Sequence, residues 1–271
     1  MSQEISFLII VPTYNSFEKL ERFKKSLLCQ TFKNWRVIFV DADSVKEHKE
    51  WLDLCVSLDK RFTAYQEPKE NKGIFPSMTF GSQFANQNDW VMFFGSDDWF
   101  ASKNSLSKIA KTIAHSLNEV NQKLIISGTQ FINKKNDNVL RINSVPNLRF
   151  TSNKELAKFT FLGYVPAHQS LCFSQELLEK LMPYSNQYNL AADSDLIFKM
   201  FSLEEFKIIF IKEILINIQA GGISSIFLRK RLKELIFIYF NYFKFLFLIP
   251  FSLRYFKKIF SRLKTINQQE R

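Results

Sequence analysis

Cysteine is scarce in this chain of 271 residues. Cys29, Cys55 and Cys172 lie far apart, and no two of them form a CxxC pair. This spacing excludes a disulfide framework and the usual structural zinc sites, which need closely spaced cysteines. We therefore expect the chain to reside in a reducing compartment.

An uninterrupted apolar run long enough to span a bilayer is also absent. Residues 5–11 are apolar but too few for a secretory signal or a span. Residues 235–253 approach the required length but contain Asn241, Lys244 and Pro250. A lysine near the bilayer centre costs about 2.5 to 3.5 kcal/mol on insertion scales. We expect this segment not to cross the membrane, and a span is the alternative.

Acidic side chains are nearly absent from residues 226–271, where eleven Lys and Arg stand against two acids, a net charge of +9. The whole chain carries +11, so residues 1–225 are close to neutral. In this segment the basic residues alternate with Phe, Tyr, Leu and Ile, which favours an anionic lipid surface over nucleic acid. The alternative is a helix packed on the body of the protein or on a second subunit.

Strand-type and helix-type apolar patterns alternate through the first half. Continuous apolar runs predict strands buried on both faces, and apolar residues at helical spacing predict helices between them. Asn15 and Glu18 form the pattern of a helix capping box after the first strand. Such β-then-α units predict an α/β fold with a mostly parallel sheet flanked by helices. The predicted strands are 5–11, 35–40, 62–66 and 90–94, and the helices include 46–58 and 77–85.

The second half is less regular. Residues 207–211 and 215–219 are two short alternating runs, a pattern typical of a closing hairpin or of edge strands. No linker rich in Gly, Ser or Pro precedes about Gly221, so we predict one domain over residues 1–225 and a basic amphipathic helical tail over residues 226–271. The other predicted elements are strands at 124–127 and 170–173 and helices at 153–161 and 193–201.

Polar side chains follow three of the predicted strands. Because the carboxyl ends of parallel strands meet at one edge of a sheet, these side chains should converge there. Two neighbouring carboxylates after a buried strand are costly unless partnered, and a hard divalent cation with a diphosphate satisfies them. The alternative is that Asp97 or Asp98 caps a helix beginning near Ser102. The strand-end residues are Pro12, Tyr14, Asn15, Asp41, Asp43, Ser96, Asp97 and Asp98.

Seven short motifs follow one another along the chain: VPTYN at 11–15, VDADS at 40–44, NKGIFPSM at 71–78, FGSDD at 94–98, PAHQ at 166–169, AADSDL at 191–196 and GGIS at 221–224. Together they resemble family 2 of the glycosyltransferases, which has the GT-A fold, and within it the colanic-acid and O-antigen type. Singly each is weak, but their order is that of the family, and the resemblance covers about residues 5–225.

The resemblance implies a donor site for a nucleotide-diphosphate sugar, with a UDP-sugar as the expected donor. Tyr14 would pack against the base, and Asp41 would accept a hydrogen bond from base or ribose. Asp97 would hold Mn²⁺ or Mg²⁺ with the support of Asp98, so that the metal neutralises charge on the leaving nucleotide. The implied nucleotide-sugar contacts are Pro12, Tyr14, Asn15, Asp41, Asp43, Lys72 and Ser96.

The resemblance also implies an inverting transfer with Asp193 as the general base. This carboxylate would take the proton from an acceptor hydroxyl as that oxygen attacks the anomeric carbon. One base suffices, because the leaving phosphate needs no protonating acid. Asp195 is a rival for the role. His168, Gly221 and Gly222 are candidate contacts to the acceptor or to phosphate, and the expected acceptor is a lipid-linked saccharide at the cytoplasmic face of a bacterial inner membrane.

Each of these residues also has an ordinary structural explanation. Tyr14 could be a half-buried core aromatic, and Asp41 or Asp43 could form an Asx turn. Asp193 begins a predicted helix, where aspartate is favoured as a cap regardless of function. His168 could be a hydrogen-bonded core histidine. The two glycines could form either a mobile loop over the donor or a plain turn.

The motifs depart from the family pattern at four positions. Gly95 stands where a strict DxD begins, Asn71 and Pro76 replace usual aspartates, and Thr79 replaces a usual asparagine. These changes put donor recognition in doubt rather than the reaction class. The competing functions are an inactive nucleotide-sugar-binding homologue and a membrane-surface adaptor whose activity lies in the tail. Intact Asp97, Asp98 and Asp193 argue against the first, and the acidic strand ends argue against the second.

Overall fold

The structure is a computed structural model that describes residues 5–116, 122–222 and 226–269. Its strands form a mixed ten-stranded sheet flanked by helices, so the predicted α/β class is confirmed. The strands are β1 (Ser6–Thr13), β2 (Trp35–Asp41), β3 (Phe62–Gln66), β4 (Asp89–Phe93), β5 (Trp99–Phe100), β6 (Gln122–Ile132), β7 (Val139–Asn143), β8 (Phe150–Ser152), β9 (Leu171–Ser174) and β10 (Lys207–Gln219). The helices are α1 (Phe17–Leu28), α2 (Lys46–Leu58), α3 (Ile74–Ser82), α4 (Ser105–Ser116), α5 (Asn153–Phe161), α6 (Gln175–Leu181), α7 (Ala192–Lys199), α8 (Leu228–Phe243) and α9 (Leu248–Gln269).

The first four strands are parallel and lie in the order β3-β2-β1-β4. Side chains along β1 alternate between the two faces of the sheet. Phe7, Ile9 and Val11 join the core under α1 and α2, whereas Leu8 and Ile10 join the core on the face of α3. Burial on both faces explains why this strand is a continuous apolar run. The carboxyl ends of all four strands therefore meet at one edge.

Several predicted boundaries coincide with the observed ones, including both ends of α2, β3 and α5. Helix α3 begins at Ile74, three residues before the predicted start. Gly73 takes a φ of 124° and its carbonyl accepts a hydrogen bond from the Ser77 amide, which starts the helix early. Pro76 fits in the first turn because its missing amide has no partner there.

The predicted capping box at Asn15 and Glu18 is wrong. Ser16 is the residue before α1, and it makes no side-chain cap. Asn15 has a left-handed φ of 45°, and its side-chain oxygen accepts a hydrogen bond from the Val45 amide at 2.8 Å. The amide side chain thus joins the loops after β1 and β2 and is unavailable to the helix.

The predicted hairpin or edge strands at 207–211 and 215–219 are also wrong. One strand, β10, covers both runs and pairs with β6, β5 and β8 inside the sheet. Lys212 and Glu213 lie at an irregularity where the register with β6 shifts, and both are exposed. Gly128 of β6 makes room, because a Cβ there would lie 2.9 Å from the Glu213 carbonyl oxygen.

The tail forms two helices that pack on the domain through one face only. The chain breaks between α8 and α9 at Lys244, which has a φ of 49°. Tyr239 of α8 is fully buried, and its ring centroid lies 4.9 Å from that of Phe198 in α7. In the part of the chain that is described, no helix combines the length and apolarity needed to cross a bilayer.

Candidate active site

Asp41, at the end of β2, holds the first two strand-end loops together. Its carboxylate accepts hydrogen bonds from the Thr13 hydroxyl at 3.1 Å, the Ser44 amide at 2.9 Å and the Ser44 hydroxyl at 2.5 Å, and His48 Nε2 lies 3.3 Å away. His48 Nδ1 accepts a hydrogen bond from the Ser16 amide, which leaves the ring proton on the side of Asp41. Burial raises the pKa of Asp41, but these hydrogen bonds outweigh it and lower the pKa to about 2.

Around Asp41 the polar rim is exposed and held by short contacts. Tyr14 is 62% exposed, so it is not a core aromatic and its ring is free to meet a ligand. The Asn15 amide donates to the Ser44 hydroxyl at 2.9 Å. Asp43 has a φ of 56° and pairs with Lys49 at 2.6 Å. The hydrogen bond from Lys49 lowers the pKa of Asp43, and the charge of Lys72 acts in the same direction. Pro12 is half-buried beside this rim.

Glu67 is a buried carboxylate at this edge that the sequence analysis missed. It follows β3 directly, and its Oε2 accepts hydrogen bonds from the Gly73 amide at 3.1 Å and the Ser77 hydroxyl at 3.2 Å. Its own amide donates to the Asp41 carbonyl at 2.8 Å. Glu67 therefore fixes the loop that contains Lys72 against the end of β2. The signal that could have found it is the one used for the other strands, a polar residue at a strand end.

Asp98 joins the two halves of the sheet. It is buried, and its Oδ2 accepts hydrogen bonds from the Gly95 amide and from Gln169 Nε2, both at 2.9 Å. Its Oδ1 accepts from the Gln219 amide at 3.3 Å. Burial, and then the charge of Asp97, raises the pKa of Asp98 to about 7. The alternative that Asp98 caps the next helix is wrong, because its oxygens are engaged with the loop before β9 and the end of β10.

Asp97 is the carboxylate of the pair that faces solvent. Its side chain is 20% exposed and its Oδ2 lies 3.6 Å from Lys19 Nζ on α1. A Cβ placed on Gly222 would lie 4.0 Å from the same oxygen, so the glycine turn after β10 reaches this carboxylate. Gly221, with a φ of 97°, sets the direction of that turn. Ile223 and Ser224, the last residues of the GGIS motif, lie outside the described residues. Ser96 is half-exposed beside Asp97.

The residues fit a divalent cation only together with a ligand. In the described ranges no group of three or more His, Cys, Asp or Glu side chains could hold a metal ion alone. Mg²⁺ is commonly bound by one or two carboxylates plus substrate phosphates, with water completing the shell. Asp97 meets that requirement, since it is accessible and its partner is a surface ammonium. Asp98 fits a supporting role, because its oxygens are already hydrogen-bonded.

Asp193, at the start of α7, is half-buried, and its Oδ1 accepts a hydrogen bond from the Ser194 amide at 2.8 Å. Its charge acts on His168 and Tyr184. His168 precedes Gln169, whose amide holds Asp98. Asp193 is therefore connected to the carboxylate pair through one short segment. Asp195 has different surroundings, because its charge acts on Tyr188 and Tyr242.

His168 has the surroundings of a core histidine. Its ring stacks on Phe93 with centroids 5.3 Å apart, and its Nε2 lies 2.6 Å from the Tyr184 hydroxyl. Burial lowers the pKa of His168 to about 4, although the charge of Asp193 acts in the opposite direction. The ring is therefore neutral at pH 7. Its placement suits it to position Tyr184 and the neighbouring Gln169 more than to touch a ligand.

The sheet has the architecture of the GT-A glycosyltransferases, a mixed α/β sheet with acidic side chains at its carboxyl edge. Solved structures of that fold superpose on this one. The chain belongs to glycosyl transferase family 2, which residues 8–188 match. It is accordingly a nucleotide-sugar-dependent glycosyltransferase of an inverting family.

Comparisons with individual proteins find relatives of low sequence identity. A PGL/p-HBAD biosynthesis glycosyltransferase of Mycobacterium bovis is 24% identical over 197 residues, which cover 72% of this chain and 70% of the relative. S. aureus TarS 1–349 in complex with UDP-GlcNAc superposes with a TM-score of 0.64 at 17% identity, over 88% of this chain and 67% of that one. PcManGT, a mannosyltransferase from Pyrobaculum calidifontis in complex with GDP-Man and Mn²⁺, gives 0.64 at 13% identity, over 98% and 75%.

The chain is shorter than these structural relatives. It spans 66% of TarS 1–349 without ligand and 39% of the longer TarS chain. At such low identity the superpositions show a shared fold.

Proposed function

We propose that this glycosyltransferase moves a sugar from a UDP-sugar to a hydroxyl of a lipid-linked saccharide, in bacterial surface polysaccharide synthesis of the colanic-acid or O-antigen type. The observation that carries the proposal is the placement of Asp97 and Asp193. One carboxylate is accessible at the donor edge, the other is half-buried beyond it, and the Asp98–Gln169 hydrogen bond connects their segments. The two carboxylates thus have different surroundings, which suit them to separate tasks on the donor and on the acceptor.

On the donor side, Tyr14 offers an exposed ring for the nucleotide base. The carboxylate of Asp41 already accepts three hydrogen bonds from protein donors. In this proposal it therefore shapes the base pocket and makes few hydrogen bonds to the ligand. Mn²⁺ or Mg²⁺ bound with the diphosphate would neutralise charge on the departing nucleotide. Asp97 would hold that ion, and the glycine turn at Gly222 would border it. The structural relative that binds GDP-Man with Mn²⁺ supports a metal-dependent donor site.

On the acceptor side, Asp193 would accept the proton of the attacking hydroxyl. Its neighbours His168 and Tyr184 are uncharged at neutral pH, because burial lowers the pKa of the imidazole to about 4 and raises that of the phenol. Neither of these two neighbours therefore carries a positive charge that would pair with the carboxylate of Asp193. Removal of one proton by a positioned base is the acid–base step that an inverting transfer needs.

The outer face of the tail supports a peripheral position on an anionic membrane. Large apolar side chains on this face are 40% or more exposed, and basic side chains lie among them. Such a surface gains free energy by burying apolar groups at the headgroup boundary, with about 1 kcal/mol from each basic residue near the surface. The exposed apolar residues include Phe237, Phe240, Phe245, Leu246, Leu248, Phe256, Ile259, Phe260 and Leu263.

Thermal unfolding with a panel of nucleotide sugars tests the donor assignment, because a ligand that binds only the native state raises the melting temperature. We expect a UDP-sugar to stabilise the protein with Mn²⁺ or Mg²⁺ and to lose this effect in EDTA. Asp97→Asn should remove the metal-dependent part. Asp137→Asn is the matched control, since Asp137 is also a surface carboxylate paired with a cation, Arg22, at 2.9 Å. Equal stabilisation of both variants would place the metal elsewhere.

A further inference from the structure

Four basic side chains from three elements of the fold lie close to one another, and the charge of Asp193 reaches two of them, Arg254 and Lys258. Arg141 lies on β7, Arg231 on α8, and Arg254 and Lys258 on α9, one turn apart. The charges of the three arginines all act on Lys258, and Asp193 is the carboxylate whose charge reaches both Arg254 and Lys258. We call these four residues the basic cluster.

The basic cluster is not neutralised within the described part of the protein. None of its members forms an ion pair with a carboxylate there. Arg254 is only 6% exposed, yet its Nε has no hydrogen-bond partner, and its single side-chain hydrogen bond goes to the Tyr239 hydroxyl at 3.3 Å. The buried Nε of Arg231 is also without a partner.

Such an arrangement opposes folding. Burial, and then the charges of Arg254, Arg231 and Arg141, lowers the pKa of Lys258 to about 6. Burial and the charges of Arg254 and Arg231 likewise lower the pKa of Arg141 to about 10. Three members contact aromatic rings: Arg141 lies 3.9 Å from the Phe131 centroid, Lys258 5.1 Å from that of Tyr255 and Arg254 5.8 Å from that of Tyr239. A ring face supplies no countercharge. Buried charges without a countercharge cost free energy, and hydrophobic residues of similar volume would commonly be more stable. The charges are therefore better explained by a ligand than by the fold.

The chemistry of the cluster favours a phosphate-bearing anion. Arginine presents planar, paired donors that match phosphate oxygens, and the two unpartnered Nε atoms are donors of this kind. Arg141, Arg231 and Lys258 are half-exposed, so the cluster opens to solvent while Arg254 forms its floor. In the proposed function the donor diphosphate binds with a metal ion at Asp97, so it does not need the basic cluster. The segment that contains Asp97 is joined to that of His168 by the Asp98–Gln169 hydrogen bond.

We propose that the basic cluster binds the phosphate or diphosphate group of the acceptor and so places the acceptor hydroxyl at Asp193. This inference rests on the proposed function, because it assigns a site to the lipid-linked acceptor. The exposed apolar face of α8 and α9 is compatible with a lipid attached to that group. The anionic group would enter the cluster while the lipid lies along the exposed face.

Binding can be measured on the full-length protein by thermal unfolding in EDTA, which excludes metal-mediated binding at Asp97. The probes are inorganic pyrophosphate and farnesyl diphosphate, with farnesol as the uncharged control. We expect both diphosphates to raise the melting temperature and farnesol to leave it unchanged. A bound diphosphate would favour the charged form of Lys258. Lys258→Met should therefore weaken both diphosphates by about tenfold or more, because the charge-assisted contact formed on binding is lost. Lys257→Met makes the same substitution at an exposed neighbouring position of α9 and should have little effect.

Three outcomes would overturn the proposal: no stabilisation by pyrophosphate, equal affinities in Lys258→Met and Lys257→Met, or loss of pyrophosphate binding in Asp97→Asn, which would place the anion in the donor site. Arg141→Met, on β7, gives the same test if Lys258→Met does not fold. If Lys258 serves only to stabilise the fold, the ligand-free Lys258→Met protein should have a lower melting temperature than the wild type. If Lys258 is held there against repulsion from the three arginines, the variant should have an equal or higher melting temperature. Pyrophosphate binding without any nucleotide-sugar binding would contradict the proposed function but not this site.

Discussion

Lys19 Nζ lies 3.6 Å from Asp97 Oδ2, so an ammonium group from α1 stands beside the one accessible carboxylate after β4. A divalent cation on Asp97 would share this space with a like charge. We expect Lys19→Met to tighten Mn²⁺ binding by up to about fivefold, since a surface charge contact is worth up to about 1 kcal/mol. Titration of Mn²⁺ in the presence of UDP measures it. Lys25→Met, on the same helix and paired with Glu21, is the control, and equal affinities for both variants would place Mn²⁺ away from Lys19.

Asp193→Asn should retain donor binding and transfer sugar at least about a hundredfold more slowly, because the general base is removed. Steady-state transfer and donor-induced stabilisation measure the two effects separately. Asp195→Asn is the matched variant, two residues along the same helix and half-buried like Asp193. A normal rate for Asp193→Asn with an inactive Asp195→Asn would move the role to the second carboxylate.

Asp41→Asn should lower the free energy of unfolding by about 2 kcal/mol at pH 7, because the folded pKa of about 2 lies below the ordinary 3.8. A carboxylate whose pKa is lower in the folded state than in the unfolded state stabilises the fold at pH values above its unfolded pKa. That contribution is lost as the pH falls through the folded pKa. About half of the difference from the wild type should therefore disappear by pH 3. Urea unfolding at several pH values checks this, with Asp53→Asn, an exposed position on α2, as the control. A difference that did not change with pH would assign the loss to packing.

Gly163→Ala should destabilise the protein more than Gly221→Ala. Both glycines have a positive φ, of 87° and 97°, which costs an alanine about 1 kcal/mol or more. At Gly163 a Cβ would also lie 2.6 Å from the Leu253 carbonyl carbon, so α9 would have to move. Around Gly221 the described residues leave the space open. Melting temperatures compare the two variants, and equal losses would mean that close packing of α9 on Gly163 contributes nothing.

The double variant Phe256→Ser/Phe260→Ser should reduce flotation with anionic liposomes and leave the melting temperature nearly unchanged. These rings are 62% and 63% exposed on α9, with centroids 5.7 Å apart. Leu54→Ser/Leu58→Ser, an exposed pair on α2, is the control. Truncation before the tail is a poorer test, because it would also remove the buried Tyr239 from the core. Equal flotation of the two double variants would contradict a lipid contact on this face.

Strand and helix positions in the first half were predictable because each is specified locally. A strand buried on both faces must be apolar throughout, and a packed helix must repeat apolar residues at its own period. The two runs at 207–211 and 215–219 were not predictable as one strand. Lys212 and Glu213 between them look like a turn in sequence, and only Gly128 on the neighbouring strand lets the chain continue through the irregularity.

The sequence by itself determined the chemistry available at the strand ends, because the carboxyl ends of parallel strands always share an edge. Which strand-end carboxylate is buried and which is accessible was decided by the tertiary structure. Asp97 and Asp98 are adjacent and alike in sequence, yet contacts from Gln169 and Gln219 bury one and leave the other accessible. The basic cluster shows the same limit, since Arg141 and Lys258 lie far apart along the chain. Only the packing of α9 against β7 brings their charges together, because electrostatic contact depends on distance in space.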